Sequence, residues 1–116
     1  MLPAESRLKS KKDIEEVFRK GRTVKSSFLF LRYAHNNLEQ TRIAFSVGLR
    51  YSKKAVSRNR AKRVLRESAR EFLPEINPGY DLVFFLDKNF KDELMLSQTK
   101  EKMAKTLEQA SLLKQQ

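Results

Sequence analysis

The 116-residue sequence has no cysteine, no tryptophan, one histidine, three glycines and three prolines. Without cysteine, disulfides and thiolate nucleophiles are excluded, and a lone histidine makes a zinc site a poor fit. No phosphate-cradling glycine loop appears. The start, Met1 to Asp13, lacks the uninterrupted apolar segment of a secretory signal, and no stretch resembles a membrane span. A cytoplasmic address is the simplest expectation. Converging carboxylates are missing too, although a two-metal nuclease would need several. Asp13, Glu15 and Glu16 share one predicted helix, Glu67 and Glu71 stand among arginines, and Asp81 and Asp87 sit at opposite ends of a predicted strand. His35 lies among asparagines in a turn and reads as a surface residue. No catalytic residue and no protein-bound metal are expected.

What is abundant is positive charge. Twenty-five Lys and Arg against fourteen Asp and Glu leave a net +11. Such a surplus attracts phosphate backbones or anionic lipid. Membrane binding needs an amphipathic helix with bulky apolar residues facing outward. The basic segments here carry too narrow an apolar stripe, so nucleic acid is the expected partner and no membrane is. The length fits one domain, 1–116, and 40% apolar residues with eight Phe suffice for a modest core.

Along the chain, Ser10-Lys11-Lys12-Asp13 has the capping-box form and opens a helix over about 10–20, with Ile14, Val17 and Phe18 on one face and Gly21 at its end. Residues 23–34 (TVKSSFLFLRYA) are β-branched and aromatic and predict one strand. After a turn at His35-Asn36-Asn37, residues 41–49 predict a second, and the two suggest an antiparallel hairpin. Ser57 is the expected N-cap of a long helix to about Leu73, with Ala61, Val64, Leu65, Ala69 and Phe72 in one apolar arc. Pro74 and Asn77-Pro78-Gly79 stop it. Tyr80 to Leu86 (YDLVFFL) predicts a strand covered on both faces. Ser97 to Leu113 predicts a last helix with Met103, Leu107, Ala110 and Leu113 inward. The order α-β-β-α-β-α, without repeat or linker, predicts an α+β two-layer sandwich.

Between Arg50 and Arg70 nine basic residues face only Glu67 and Glu71. At 100° per residue Asn59, Arg63, Arg66 and Arg70 fall within an arc of about 60° opposite the apolar stripe. Arg60 and Lys62 flank them, and Arg58 projects beside Lys53 and Lys54. A solvated helix would alternate its charges at i, i+4. This one reads instead as a phosphate-binding face, because the guanidinium fork grips two oxygens and the helix N-terminus adds amide donors.

These residues also carry a resemblance. Lys54-Ala55-Val56-x-Arg58-Asn59-Arg60-x-Lys62-Arg63-x-x-Arg66-Glu67 closely resembles the signature of the bacterial ribonuclease P protein subunit. Arg7-Leu8-Lys9 with Asp13 and Val17-Phe18, Gly21-Arg22, Arg42 to Val47 and Pro78 to Val83 resemble its flanking elements. The sequence departs from that pattern where the family usually has Ser-Lys-Lys-x-Gly: Tyr51 replaces a Lys and Lys53 the Gly. Ile14 stands where the family often has Phe. The resemblance implies a fold like the second domain of ribosomal protein S5, with a left-handed β-α-β crossover. Connection rules alone favour the right-handed form, in ~98% of cases.

It also implies a ribonucleoprotein endonuclease that matures the 5′ end of tRNA. In it an RNA subunit cleaves with bound Mg2+ and the protein enables cleavage, with no other protein partner required. Lys53, Lys54, Arg58, Asn59, Arg60, Lys62, Arg63, Arg66 and Arg70 would contact the catalytic RNA. A cleft for the 5′ leader of precursor tRNA would be lined by Ile14, Phe18 and a ring from Phe28, Phe30 or Tyr33. Which strand face that is stays open, and Phe45, Phe72, Phe84 and Phe85 are assigned to the core, where aromatics mostly pack. On composition alone a ribosomal or general RNA-binding protein fits as well. A DNA-recognition helix is disfavoured, since a strand and a basic loop precede residues 57–73.

Overall fold

In the computed structural model, which describes residues 2–114, the Ser10 hydroxyl accepts a hydrogen bond from the Asp13 amide at 3.4 Å and opens α1 (Lys11–Lys20). Gly21 ends α1 by donating to the Val17 carbonyl at 2.8 Å. A Cβ at Gly21 would meet the carbonyl oxygens of Val17 at 2.4 Å and Tyr33 at 2.6 Å, so this position has no room for a side chain.

The run expected as one strand folds back on itself. β1 (Arg22–Ser26) and β2 (Leu29–His35) form a hairpin around Ser27 and Phe28, with Ser27 at φ 55°. No Gly or Asn marks this two-residue turn, so its signal is faint in the sequence. β3 (Arg42–Ser46), α2 (Ala55–Phe72), β4 (Tyr80–Leu86) and α3 (Leu96–Gln109) follow. The predicted element order is thus kept, with its first strand doubled.

The sheet order is β1-β2-β4-β3. β4 runs antiparallel to β2 and parallel to β3, so β3, α2 and β4 form a β-α-β unit. The expected hairpin between the second and third strands is therefore overturned: β4 lies between them. The cause is in β4 itself. Tyr80 to Leu86 is the segment that gains most from a central place, and Asp81 to Phe84 are buried there. The loop at 36–41 need cross only two strand spacings, about 10 Å. The N-terminal segment follows the outer edge of β3, where the Leu8 amide donates to the Ile43 carbonyl at 2.9 Å.

One sheet face carries the main core. Leu29, Leu31, Ile43, Leu82 and Phe84 pack against Ala61, Leu65 and Ala69 of α2 and Met103 and Leu107 of α3. The predicted apolar arc of α2 thus faces inward, with Phe45, Val64 and Phe72 at its margin. α2 starts two residues before the predicted cap. Lys54 holds the N-cap position with no side-chain cap, and Ser57 is already helical. α3 stops at Gln109 because Ser111 turns left-handed at φ 57°. Ala110 and Leu113 still pack against the core, from beyond the helix rather than within it.

The second face is covered only in part, by α1. Val17, Leu8 and Val83 form a small cluster there, with Ile14, Ala44 and Phe85 half-buried around it. The remainder of that face is open. No helix among the described residues is long and apolar enough to cross a membrane.

Candidate nucleic-acid interface

Strand parity decides what the open face presents. Phe30 and Arg32 of β2 pair with Phe85 and Val83 of β4, and Ser46 and Ala44 of β3 extend the same rows. Phe30 and Phe85 stack with centroids 5.1 Å apart and planes 7° apart. Phe18 of α1, 43% exposed, tilts over Phe85 at 5.6 Å. Lys25 of β1 lies 4.9 Å above the Phe30 ring and donates to Asp87 at 2.8 Å. Lys25 and the Asn89 amide together hold the Asp87 carboxyl below its ordinary pKa.

Of the residues predicted to line a cleft, the structure brings Phe18 and Phe30 together and sets Ile14 one turn back along α1, against Val83. The other two alternatives, Phe28 and Tyr33, lie elsewhere. Phe28 sits in the hairpin turn and stacks on Phe90 at 4.5 Å, and Tyr33 faces the main core near Tyr80. The turn at Ser27-Phe28 sets this parity, so Phe30 and Tyr33 point to opposite faces. Phe85, assigned to the core from sequence, is the third cleft ring. Its signal was there: Phe84 and Phe85 are consecutive in a strand, and only one of them can face the main core.

Arg32 shapes the same cleft. Its guanidinium donates to the Phe18 carbonyl at 2.6 Å, the Val17 carbonyl at 3.3 Å and the Thr23 hydroxyl at 2.7 Å. It therefore satisfies the last carbonyls of α1 and fixes that helix end over the sheet. At the other end of α1, Arg42 grips buried Asp81 through two bonds, at 2.9 and 2.7 Å, and reaches Asp13 at 3.3 Å. Asp81 raises the Arg42 pKa above its ordinary value, chiefly through these bonds. Asp13 and Asp81, far apart in sequence, thus meet across a cation. Among the described residues no three His, Cys, Asp or Glu side chains come together as a metal site.

The basic residues belong to α2, which packs on the other sheet face, and to its approach loop. Asn59, Arg60, Arg63, Arg66 and Arg70 are exposed along α2, Lys62 and Arg58 are half-buried, and Lys53 and Lys54 stand exposed in the approach loop. Arg58 donates to the Ser52 carbonyl at 3.0 Å and ties that loop to the helix. The loop carries Lys53 without a positive φ, and the Ser52 hydroxyl accepts from the Lys54 amide at 3.1 Å. Arg60 pairs with Glu93, and Arg70 with Glu67 at 3.7 Å. These pairs are exposed and worth about 0–1 kcal/mol, so they yield readily to a phosphate. Arg63 makes no ion pair among the described residues. No acidic residue occupies the first turn of α2, and the first helical amide bond runs from Arg58 to Lys54. The amides before it are free to meet an anion.

Two depressions lie between Phe85 and this helix. One, of about 330 Å³, runs from Phe85 past Gly48 to Arg50 and Tyr51. The other, of about 230 Å³, runs from Tyr51 and Ser52 to Ser57 and Arg60. Tyr51 lines both. Its hydroxyl donates to the Asp92 carbonyl at 3.0 Å, and burial, then Glu93, pushes its pKa up. Phe85, the loop at 50–52 and the start of α2 thus follow one another along these depressions.

Comparison with known proteins follows the same direction. The profile of the family described as ribonuclease P matches residues 2–111. A ribonuclease P protein component from Pelotomaculum thermopropionicum is 36% identical over 105 residues, covering 90% of this chain and 92% of that protein. One from Chloroflexus aggregans is 37% identical over 108 residues, covering 93% and 79%. Among solved structures, a Staphylococcus aureus RNase P protein mutant, described as defective in mRNA degradation activity, superposes with a TM-score of 0.82 at 23% identity, over 94% of this chain and 91% of that one. The Thermotoga maritima RNase P protein gives 0.79 at 24% identity, over 89% and 96%.

Proposed function

The chain belongs to the ribonuclease P protein family, and from that premise we propose that it binds the ribonuclease P RNA through α2 and the 5′ leader of precursor tRNA through the α1–sheet cleft. The observation that supports this most is the aromatic set Phe18, Phe30 and Phe85 on the sheet face that α1 covers only in part, with a depression running from Phe85 to Arg50 of the basic loop. An exposed ring such as Phe18, beside cations, suits single-stranded RNA of any sequence, since every base has a face to stack.

In this reading Arg58, Asn59, Arg60, Lys62, Arg63, Arg66 and Arg70, with Lys53 and Lys54, neutralise phosphates of the catalytic RNA. Each phosphate neutralised releases counterions, and the added positive charge lowers the Mg2+ that the assembly requires. Mg2+ itself is assigned to the RNA, as membership of this family implies. Cleavage is likewise assigned to the RNA. The protein's part is binding, orientation and charge neutralisation.

Reconstitution tests this. Adding the protein to a bacterial ribonuclease P RNA should raise precursor tRNA cleavage at low Mg2+ and tighten binding of substrates that carry a leader. No gain over RNA alone would sink the proposal. Cleavage by the protein alone would move the chemistry onto the protein.

A further inference from the structure

α3 leaves one corner of the main-core face uncovered, past its C-terminal end. Arg22, Tyr33, His35 and Tyr80 share that face by register, since Arg22 pairs with Tyr33 and His35 with Tyr80. With Lys20 from the end of α1 they line a recess of about 510 Å³, bounded by Ala110 on the α3 side. The His35 and Tyr80 rings lie 4.4 Å apart, and Tyr33 is 6.5 Å from Tyr80. No acidic side chain lines the recess itself; Asp13, Glu16 and Asp81 line the adjoining depression, which shares Lys20 and His35, and neither Lys20 nor Arg22 forms an ion pair among the described residues. Ala34 lines the recess too, and it lies at the other end of the β2–β4 ladder from the Phe30–Phe85 pair.

Core packing accounts for the half-buried Tyr33 and Tyr80, but not for the exposed His35 or the two unpaired cations beside it. The volume is within the range of about 300–1,000 Å³ typical of small-ligand sites. An uncharged aromatic ligand would leave the cations unused, and an acidic peptide would leave the rings unused. A nucleotide uses both. We infer that this recess is a second single-stranded RNA site, which stacks one base on the Tyr80–His35 pair and holds its phosphate between Arg22 and Lys20. The inference shares with the proposed function only the premise that the ligand is RNA, and it does not depend on the leader cleft.

Photo-crosslinking a thiouridine-containing oligoribonucleotide to the full chain, with peptide mapping, tests it. Adducts are expected at Tyr33, His35 or Tyr80. In anisotropy titrations with the same oligonucleotide, Arg22→Gln and Tyr80→Leu should each raise Kd roughly threefold to tenfold. Their effects should multiply with that of Phe18→Ala. Arg22 is exposed, so Arg22→Gln carries the test if Tyr80→Leu does not fold. Adducts confined to Phe18 and Phe85, with unchanged affinity for Arg22→Gln and Lys20→Gln, would overturn the inference. If Phe18→Ala has no effect while Arg22→Gln weakens binding, the leader cleft fails and the recess stands.

Discussion

Phe30 and Phe85 are direct cross-strand partners, and their rings lie face to face at 5.1 Å. Neighbouring strands in register hold two such side chains in contact without further help. Lys25 covers one side of the pair and Phe18 tilts in from α1 on the other. With those faces covered, the pair is a support already fixed by the sheet, and Phe18, 43% exposed, is the ring most available to a base. Preorganisation of this kind lowers the ordering cost of binding.

Phe18→Ala and Phe85→Ala should each weaken the affinity of the assembly for leader-bearing precursor tRNA, by about 1–3 kcal/mol. The cost should disappear with a substrate whose leader is trimmed short of the cleft. Filter binding with the two substrates measures the difference, and an equal loss for both would place these rings outside the leader path.

Arg63→Ala with Arg66→Ala should weaken binding to the RNA subunit and make the dependence of log K on log salt shallower. Each lost phosphate contact reduces the slope by about 0.7–0.9. Arg58→Ala should differ in kind, because its guanidinium also secures the Ser52 carbonyl. Its loss should loosen the loop at 50–54, seen as faster amide exchange there.

The α2 arc was legible in the sequence because one helix carries both signals, an inward stripe and an outward charge, and neither depends on the rest of the fold. The cleft was only half legible. Which of Phe28, Phe30 and Tyr33 faces it depends on the two-residue turn at Ser27-Phe28, which has no strong residue signature. The pairing of β2 and β3 with β4 is a long-range choice driven by the burial of Leu82 to Phe84. Adjacent strands in sequence look like a hairpin until that competitor is placed. Arg32 and Arg42 read as ordinary basic residues for the same reason: their partners on α1 and β4 are distant in the chain.

Gly21→Ala should destabilise the fold by about 1–3 kcal/mol, the usual cost of forcing atoms into a packed site. Its φ of −80° suits any residue, so the penalty comes from the Val17 and Tyr33 carbonyls at 2.4 and 2.6 Å from the added Cβ. Urea denaturation measures it. An unchanged midpoint would mean that the α1–β1 junction can shift freely.

Asp87 titrates below its ordinary value because Lys25 and the Asn89 amide bond its charged form. A depressed folded-state pKa adds stability that is present above the unfolded pKa, about 3.9, and is lost as pH falls through the folded value. Asp87→Asn should therefore lower the urea midpoint near neutral pH. The gap between the two proteins should close as the pH drops below about 4. A gap that persists unchanged in acid would assign the effect to packing rather than charge.

Arg42 and Asp81 differ from the surface pairs because Asp81 is only 5% exposed and accepts two bonds from one guanidinium. Asn36 donates to the same carboxylate at 2.9 Å, and Arg42 extends to Asp13 on α1. Arg42→Met leaves a buried charge without its cation, which costs about 3–5 kcal/mol. Replacing both partners, Arg42→Met with Asp81→Leu, removes the uncompensated charge and should recover part of that loss in thermal or urea unfolding. The double replacement still frees Asp13, so α1 should sit less firmly over the sheet. Leader-dependent affinity should then stay weakened even where stability returns. Recovery of both together would show that Arg32, through the Val17 and Phe18 carbonyls, is sufficient to hold the cleft wall.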